Sequence, residues 1–161
     1  MKPLLALLLV GLSVGAFADS SIGREWATAI STQANTDRKI IFRYIKQFQP
    51  TFERAAYPNR IIITWRYDSV TGMPVKAERE RMERLEDLLG PVTEQADLAA
   101  LVLVSTGENL REWIYYAQSE DRFFEGLNKA LATEPRFPIE IHAAKDAAWQ
   151  TYEKFRAGVR E

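Results

Sequence analysis

Between Leu101 and Ala117 the chain reads LVLVSTGENLREWIYYA, an unbroken aliphatic run, a polar turn and a second run rich in Trp and Tyr. Two β-prone runs separated by Thr106-Gly107-Glu108-Asn109 predict a β-hairpin, with strands over 99–106 and 110–117. Leu101 to Val104 are apolar at every position, which suits a strand covered on both faces, since a half-buried strand would alternate. Upstream, RIIITWRY does alternate, and predicts a strand over 60–67 with Ile61, Ile63 and Trp65 on one side and Ile62, Thr64 and Arg66 on the other. Nearer the N-terminus, EWATAIS and RKIIFRYI flank a polar turn containing Asn35 and Asp37, which predicts a further hairpin. The stretch from Lys46 to Asn59 holds Pro50 and Pro58 without a sustained period, and reads as a loop with one helical turn at 51–56.

Helical spacing replaces alternation after Pro74. Met82, Leu85, Leu88 and Leu89 share one stripe of a helix over 75–89, with Pro74 at its first position and Gly90-Pro91 to stop it. Glu78, Arg79, Glu80, Arg81, Glu83 and Arg84 fill its other side, and the charged run from Glu78 to Asp87 reads, with i,i+4 ion pairs, as a solvated face and not as paired carboxylates for hydrolysis. Ser119 can cap a helix over 119–132 that buries Phe123, Leu127, Ala130 and Leu131 and places Glu120 and Asp121 at the positive end of its dipole. Ile139 and Ile141 alternate with Glu140 and His142 in a strand over 138–143, and Asp146 can cap a last helix with Ala148, Tyr152 and Phe155 on one side. From Arg60 onward the order is strand, helix, strand, strand, helix, strand. That order predicts an α+β domain of ferredoxin-like, split βαβ type, an antiparallel sheet with two helices on one face, to which the N-terminal hairpin and the C-terminal helix are additions.

Composition changes this picture at the N-terminus. Met1 to Ala18 carry one Lys, an apolar stretch and a closing Ala16-Phe17-Ala18, the features of a secretory signal peptide cleaved after Ala18. The apolar part is shorter than the roughly 20 residues a membrane-spanning helix needs, which disfavours an uncleaved anchor. The expected mature protein is therefore periplasmic, a single domain over 19–161 of about 140 residues, large enough to bury a core without staples. That capacity matters, because the chain contains no cysteine and can form no disulfide. Charge is nearly balanced, with Lys+Arg 21 against Asp+Glu 22, which supplies no strong positive field for nucleic acid.

The usual chemical motifs are missing. His142 is the only histidine, cysteine is absent, and there is no Gly-x-Ser-x-Gly, Gly-x-Gly-x-x-Gly or Walker sequence. One His without Cys excludes the common zinc sets, and Asp68 to Gly72 lacks the alternating carboxylates of an EF-hand loop. No cofactor and no metal are expected, and Gly72 and Gly107 read as turn residues.

The aromatic residues carry more information. With Ile139 and Ile141 turned to the helices, Glu140, His142, Thr64 and Arg66 fall on the opposite face of the sheet. The central strand adds either Arg111, Trp113 and Tyr115 or Glu112, Ile114 and Tyr116, and each set mixes one charge with bulky groups. Such a surface must be covered by the C-terminal helix or the N-terminal hairpin, or else form a groove. The candidate binding residues are Arg111, Trp113, Tyr115 and His142, which on that second face would hold an anionic or peptide ligand.

PNRIIITWRYDSVTGMP, STGENLREWIYYAQ and FPIEIHAAKDAAWQTYEKF resemble three blocks of the bacterial domain-of-unknown-function family 695, across roughly 24–155. The resemblance implies a ferredoxin-like α+β domain and transfers no catalytic residue. Some relatives of that family are associated with domains similar to the ribonuclease E inhibitor, a cytoplasmic regulator, and the leader here departs from that setting. Three functions compete: a non-catalytic binding or protein-interaction module of the periplasm with an unknown protein or small-ligand partner, a hydrolase-type enzyme using scattered acids with His142 or Arg111, and a nuclease-inhibitor-like regulator. The absence of catalytic motifs favours the first.

Overall fold

A computed structural model describes residues 22–32 and 38–160. The expected leader and the polar turn of the first hairpin lie outside the described residues. Six strands form one sheet: β1 (Gly23–Thr32), β2 (Lys39–Phe48), β3 (Asn59–Arg66), β4 (Ala99–Gly107), β5 (Leu110–Ala117) and β6 (Ile139–Lys145). Among the described residues three helices accompany them, α1 (Lys76–Leu89), α2 (Glu120–Leu131) and α3 (Gln150–Gly158). The spatial order is β1-β2-β4-β5-β3-β6, and every neighbouring pair is antiparallel. The protein is thus an α+β domain built on an antiparallel sheet.

The β4–β5 hairpin sits in the middle of that sheet, as its apolar run requires. A bulge at Val102 changes the alternation, because Leu101 faces Tyr115 while Leu103 already faces Ile114. As a result Ala99, Leu101 and Val104 join one core and Ala100, Val102 and Leu103 the other. The turn is tighter than four residues. Glu108 and Asn109 both have positive φ, 52° and 63°, as a two-residue hairpin loop needs. Gly107 belongs to β4 itself, and glycine is required there for a second reason. A Cβ at this position would lie 2.2 Å from the Lys39 carbonyl oxygen, where β2 pairs with β4.

One core lies between the sheet and helices α1 and α2. Met82, Leu85 and Leu89 of α1 and Phe123 and Leu127 of α2 meet Ile61, Ile63, Trp65, Trp113 and Tyr115. Ser119 caps α2 as expected, accepting a hydrogen bond from the Arg122 backbone N–H at 3.3 Å. The start and end of α1 differ from expectation. Helix geometry begins at Lys76, so Pro74 precedes the cap residue Val75, and Gly90 stays right-handed and leads into one turn of 3-10 helix over Gly90–Val92.

The other core is closed by α3, which settles what covers the second face. Trp149 and Tyr152 pack with Tyr44, Ile45, Ala100, Leu103, Ile114 and Tyr116. Here α3 starts three residues later than its apolar spacing suggests, because Trp149 takes a left-handed conformation at φ 55° and turns its ring inward. The ring stacks on Tyr116 at 4.0 Å, and its indole N–H donates to the Tyr57 carbonyl at 3.0 Å. These contacts offset the roughly 1–2 kcal/mol that a left-handed non-glycine residue costs. Ala148, expected on the buried stripe, is exposed instead. Asp146 still caps α3 from a distance, accepting from the backbone N–H groups of Gln150 at 2.8 Å and Thr151 at 3.1 Å and from the Tyr116 hydroxyl at 2.7 Å.

Candidate functional site

Trp113 alternates with Arg111 and Tyr115 along β5, and the pairing of β5 with β3 places all three opposite Ile63, Trp65 and Ile61. They therefore face α1 and α2, and it is Glu112, Ile114 and Tyr116 that occupy the second face. His142 pairs with Ile62 on the outermost strand and lies on that second face, with its side chain 64% exposed. The sheet separates it from the other three candidates, so the expected single groove of Arg111, Trp113, Tyr115 and His142 is not formed. Arg111 and His142 cannot act together on one substrate atom.

What gathers around Arg111 and Trp113 is a carboxylate that sequence reasoning assigned to solvent. Glu86 of α1 lies between Leu85 and Leu89 and one turn after Met82, which carries it onto the buried stripe. One of its oxygens accepts from the Trp113 indole N–H at 2.9 Å and from Arg111 Nη2 at 3.2 Å, and the other is engaged by Arg43 of β2. Each arginine also lies over an indole, Arg43 at 5.3 Å from the Trp26 ring centre and Arg111 at 4.9 Å from that of Trp113. Burial alone would raise the Glu86 carboxyl. The charge and hydrogen bond of Arg43, the Trp113 indole and the Arg111 charge outweigh it and hold the group below its ordinary value.

Glu94, just beyond the 3-10 turn, shows the opposite balance. Burial first, then the Glu86 charge, push its carboxyl up from 4.5 to about 7, against smaller opposing effects from Arg43 and the Leu101 backbone N–H. Two acids whose pKa values diverge are the pattern of an acid–base pair. Here, however, both Glu86 oxygens are committed to protein donors, so the carboxylate is the centre of an ion-pair cluster and not a base free to take a proton. Among the described residues no three His, Cys, Asp or Glu side chains come together as a metal site.

A cleft lies elsewhere, on the second face. A groove of about 860 Å³ runs between the β1–β2 hairpin and the end of α3. Phe42, Tyr44 and Phe155 line its inner part, with Phe155 5.1 Å from each of the other two rings. Lys46, Lys154 and Arg160, all exposed, line it toward solvent, and among the described residues no Asp or Glu does. Lys46 also meets Glu25 at 3.9 Å. Sequence reasoning did not find this groove. Its only local sign is the alternation of Ile40, Phe42 and Tyr44 in β2, which marks an apolar face without saying how much of it α3 leaves open.

The class of the protein follows from these observations: an α+β domain whose sheet is closed by two helices on one face and by one short helix, leaving a groove, on the other. By sequence it belongs to a family of unknown function, DUF695, whose pattern matches residues 24–156. No curated protein matches the chain.

Proposed function

We propose that the protein is a non-catalytic binding module that holds an anionic partner in the groove between the β1–β2 hairpin and α3. The observation that carries this reading is the lining of the groove, where among the described residues three aromatic rings lie with Lys46, Lys154 and Arg160 and no acid, in a chain whose charges are nearly balanced. The Glu86 cluster argues against the hydrolase alternative, because its carboxylate is saturated by Arg43, Arg111 and Trp113. We place the module in the periplasm, released from its leader after Ala18, on the strength of the Ala16-Phe17-Ala18 site. The order β4-β5-β3-β6 with α1 and α2 on one face supports reading this part of the domain as the split βαβ, ferredoxin-like arrangement.

Titration of the ¹⁵N-labelled mature protein with short poly-L-glutamate tests the reading. Amide shifts are expected over 27–31, 42–46 and 154–160, and the double substitution Lys154→Glu/Arg160→Glu should weaken binding by about tenfold or more. Unchanged affinity in the double variant, or shifts spread outside these segments, would remove the groove from the account.

A further inference from the structure

The two outer strands of the sheet are protected very differently. An edge strand presents unpaired N–H and C=O groups, and proteins guard such edges with charges, proline, bulges or short length. On one side, β6 has seven residues, follows Pro138 and carries Glu140, His142 and Lys145. On the other, β1 has ten residues, and among the described residues it pairs only with β2. Its irregularities fall between Gly23 and Trp26. From Ala27 to Thr32 the sequence ATAIST contains no charge, proline or glycine, the pairing with β2 is regular, and Ile30 is 60% exposed.

That unguarded stretch borders the groove. Residues 27, 28, 29, 30 and 31 all line it. Successive side chains of a strand point to opposite faces, so a cleft lying on one face would touch only every second residue. Contact with five in a row therefore brings the groove to the backbone of β1, which is the outermost strand among the described residues. We propose that an extended acidic peptide segment of a partner protein docks here by adding a strand to β1, with alternate carboxylate side chains reaching Lys46, Lys154 and Arg160. A second copy of this chain fits less well, since pairing two β1 edges would bring the same cationic residues together. The proposal rests on the groove reading above and adds the backbone pairing to it.

A blocked octapeptide of alternating valine and glutamate serves as the probe, in three forms: unmodified, N-methylated on the odd residues and N-methylated on the even residues. In an added strand only alternate amides point at the neighbour. One methylated form should therefore lose affinity by about tenfold or more and the other should bind as the parent does, with cross-strand NOEs between the bound peptide and residues 27–32. Equal effects of the two methylations, or no binding by the unmodified peptide, would overturn strand addition. If the two methylated forms behave alike while Lys154→Glu/Arg160→Glu still abolishes poly-L-glutamate binding, strand addition falls and the groove reading stands. If the charge reversals leave both probes bound, the groove reading falls as well. A dimer through β1 in sedimentation equilibrium would replace the acidic partner by a second copy.

Discussion

Beneath the fourteen-residue α1, the sheet buries charge: Glu86 and Arg111 are folded in beside the Trp113 indole, and Arg43, over Trp26, engages Glu86 from the partly exposed side. Beneath the nine-residue α3, the same sheet buries rings: Trp149 on Tyr116, Tyr152 against Phe48, Phe155 against Phe42 and Tyr44. The difference follows from length and shape. Two long helices cover the first face and leave Glu86 and Arg111 little access to water, so these two are paired inside, while Arg43 reaches Glu86 from the solvent edge. A short helix covers only the part of the second face that its rings reach, and the remainder is the groove. Stability is therefore concentrated differently from binding, and the comparison can be broken at either face.

The largest effect should come from the ring at the head of α3. Trp149 is 2% exposed, stacks on Tyr116 and donates to the Tyr57 carbonyl. Trp149→Ala should cost about 3–5 kcal/mol in urea unfolding, the usual range for a buried Trp, and should release α3 from the sheet. A loss below about 1 kcal/mol would mean that α3 is not held by its rings and that the second face is closed in some other way.

A smaller effect, with a sign that depends on pH, separates the two acids of the helix face. Glu86 has a lowered pKa, so its contribution is present above its ordinary value of 4.5 and is lost as pH falls through the folded value. Glu94 is raised from 4.5 to about 7, so its contribution is present below 4.5 and is lost as pH rises through about 7. Glu86→Gln should cost about 2 kcal/mol at pH 8, less than a fully buried pair because Arg43 is partly exposed. Glu94→Gln should be nearly neutral at pH 5 and should stabilise by about 1–3 kcal/mol at pH 8, where the parent holds a charged carboxylate beside Glu86. Unfolding free energies at the two pH values check both, and parallel pH curves for Glu94→Gln and the parent would refute the assignment.

These sites were unevenly legible in the sequence. The central hairpin, the antiparallel pairing and the stripe of α1 follow from local periodicity, and an apolar run such as 101–104 announces burial on two faces. Glu86 was obscured because the charges from Glu78 to Asp87 look like a solvated surface when counted as a run. Their spacing tells otherwise, since positions 82, 85, 86 and 89 form one stripe. The orientation of β5 could not be decided from its own residues, because Arg111, Trp113 and Tyr115 and the alternative set each combine one charge with large apolar groups. Only pairing with β3 fixes it. Recognising Arg43 as the partner of Glu86 requires the position of β2 beside β4, which is a long-range fact. The groove is less legible still. It borders α3, which begins only after Trp149 turns inward in a left-handed conformation, and no local pattern encodes that.

The smallest effect is expected at the residue the sequence made most conspicuous. His142 sits on β6 with its side chain 64% exposed, and Glu140, 3.9 Å away, is 68% exposed. An exposed pair of this kind contributes little, so His142→Ala should change stability by no more than about 0.5 kcal/mol. Its distance from the groove makes the same substitution a probe of binding. β1 and β6 are the two ends of a six-stranded sheet, and five strand spacings of roughly 4.8 Å put them about 24 Å apart before twist. At physiological ionic strength, charges on the surface are screened over about 8 Å, so a protonated His142 would not be felt at the groove. His142→Ala should bind poly-L-glutamate as the parent does, under conditions where Lys154→Glu/Arg160→Glu does not. If removing the imidazole weakened that binding by a comparable factor, the anionic partner would have to reach β6, and the contrast between a guarded edge and an open one would no longer locate the binding surface.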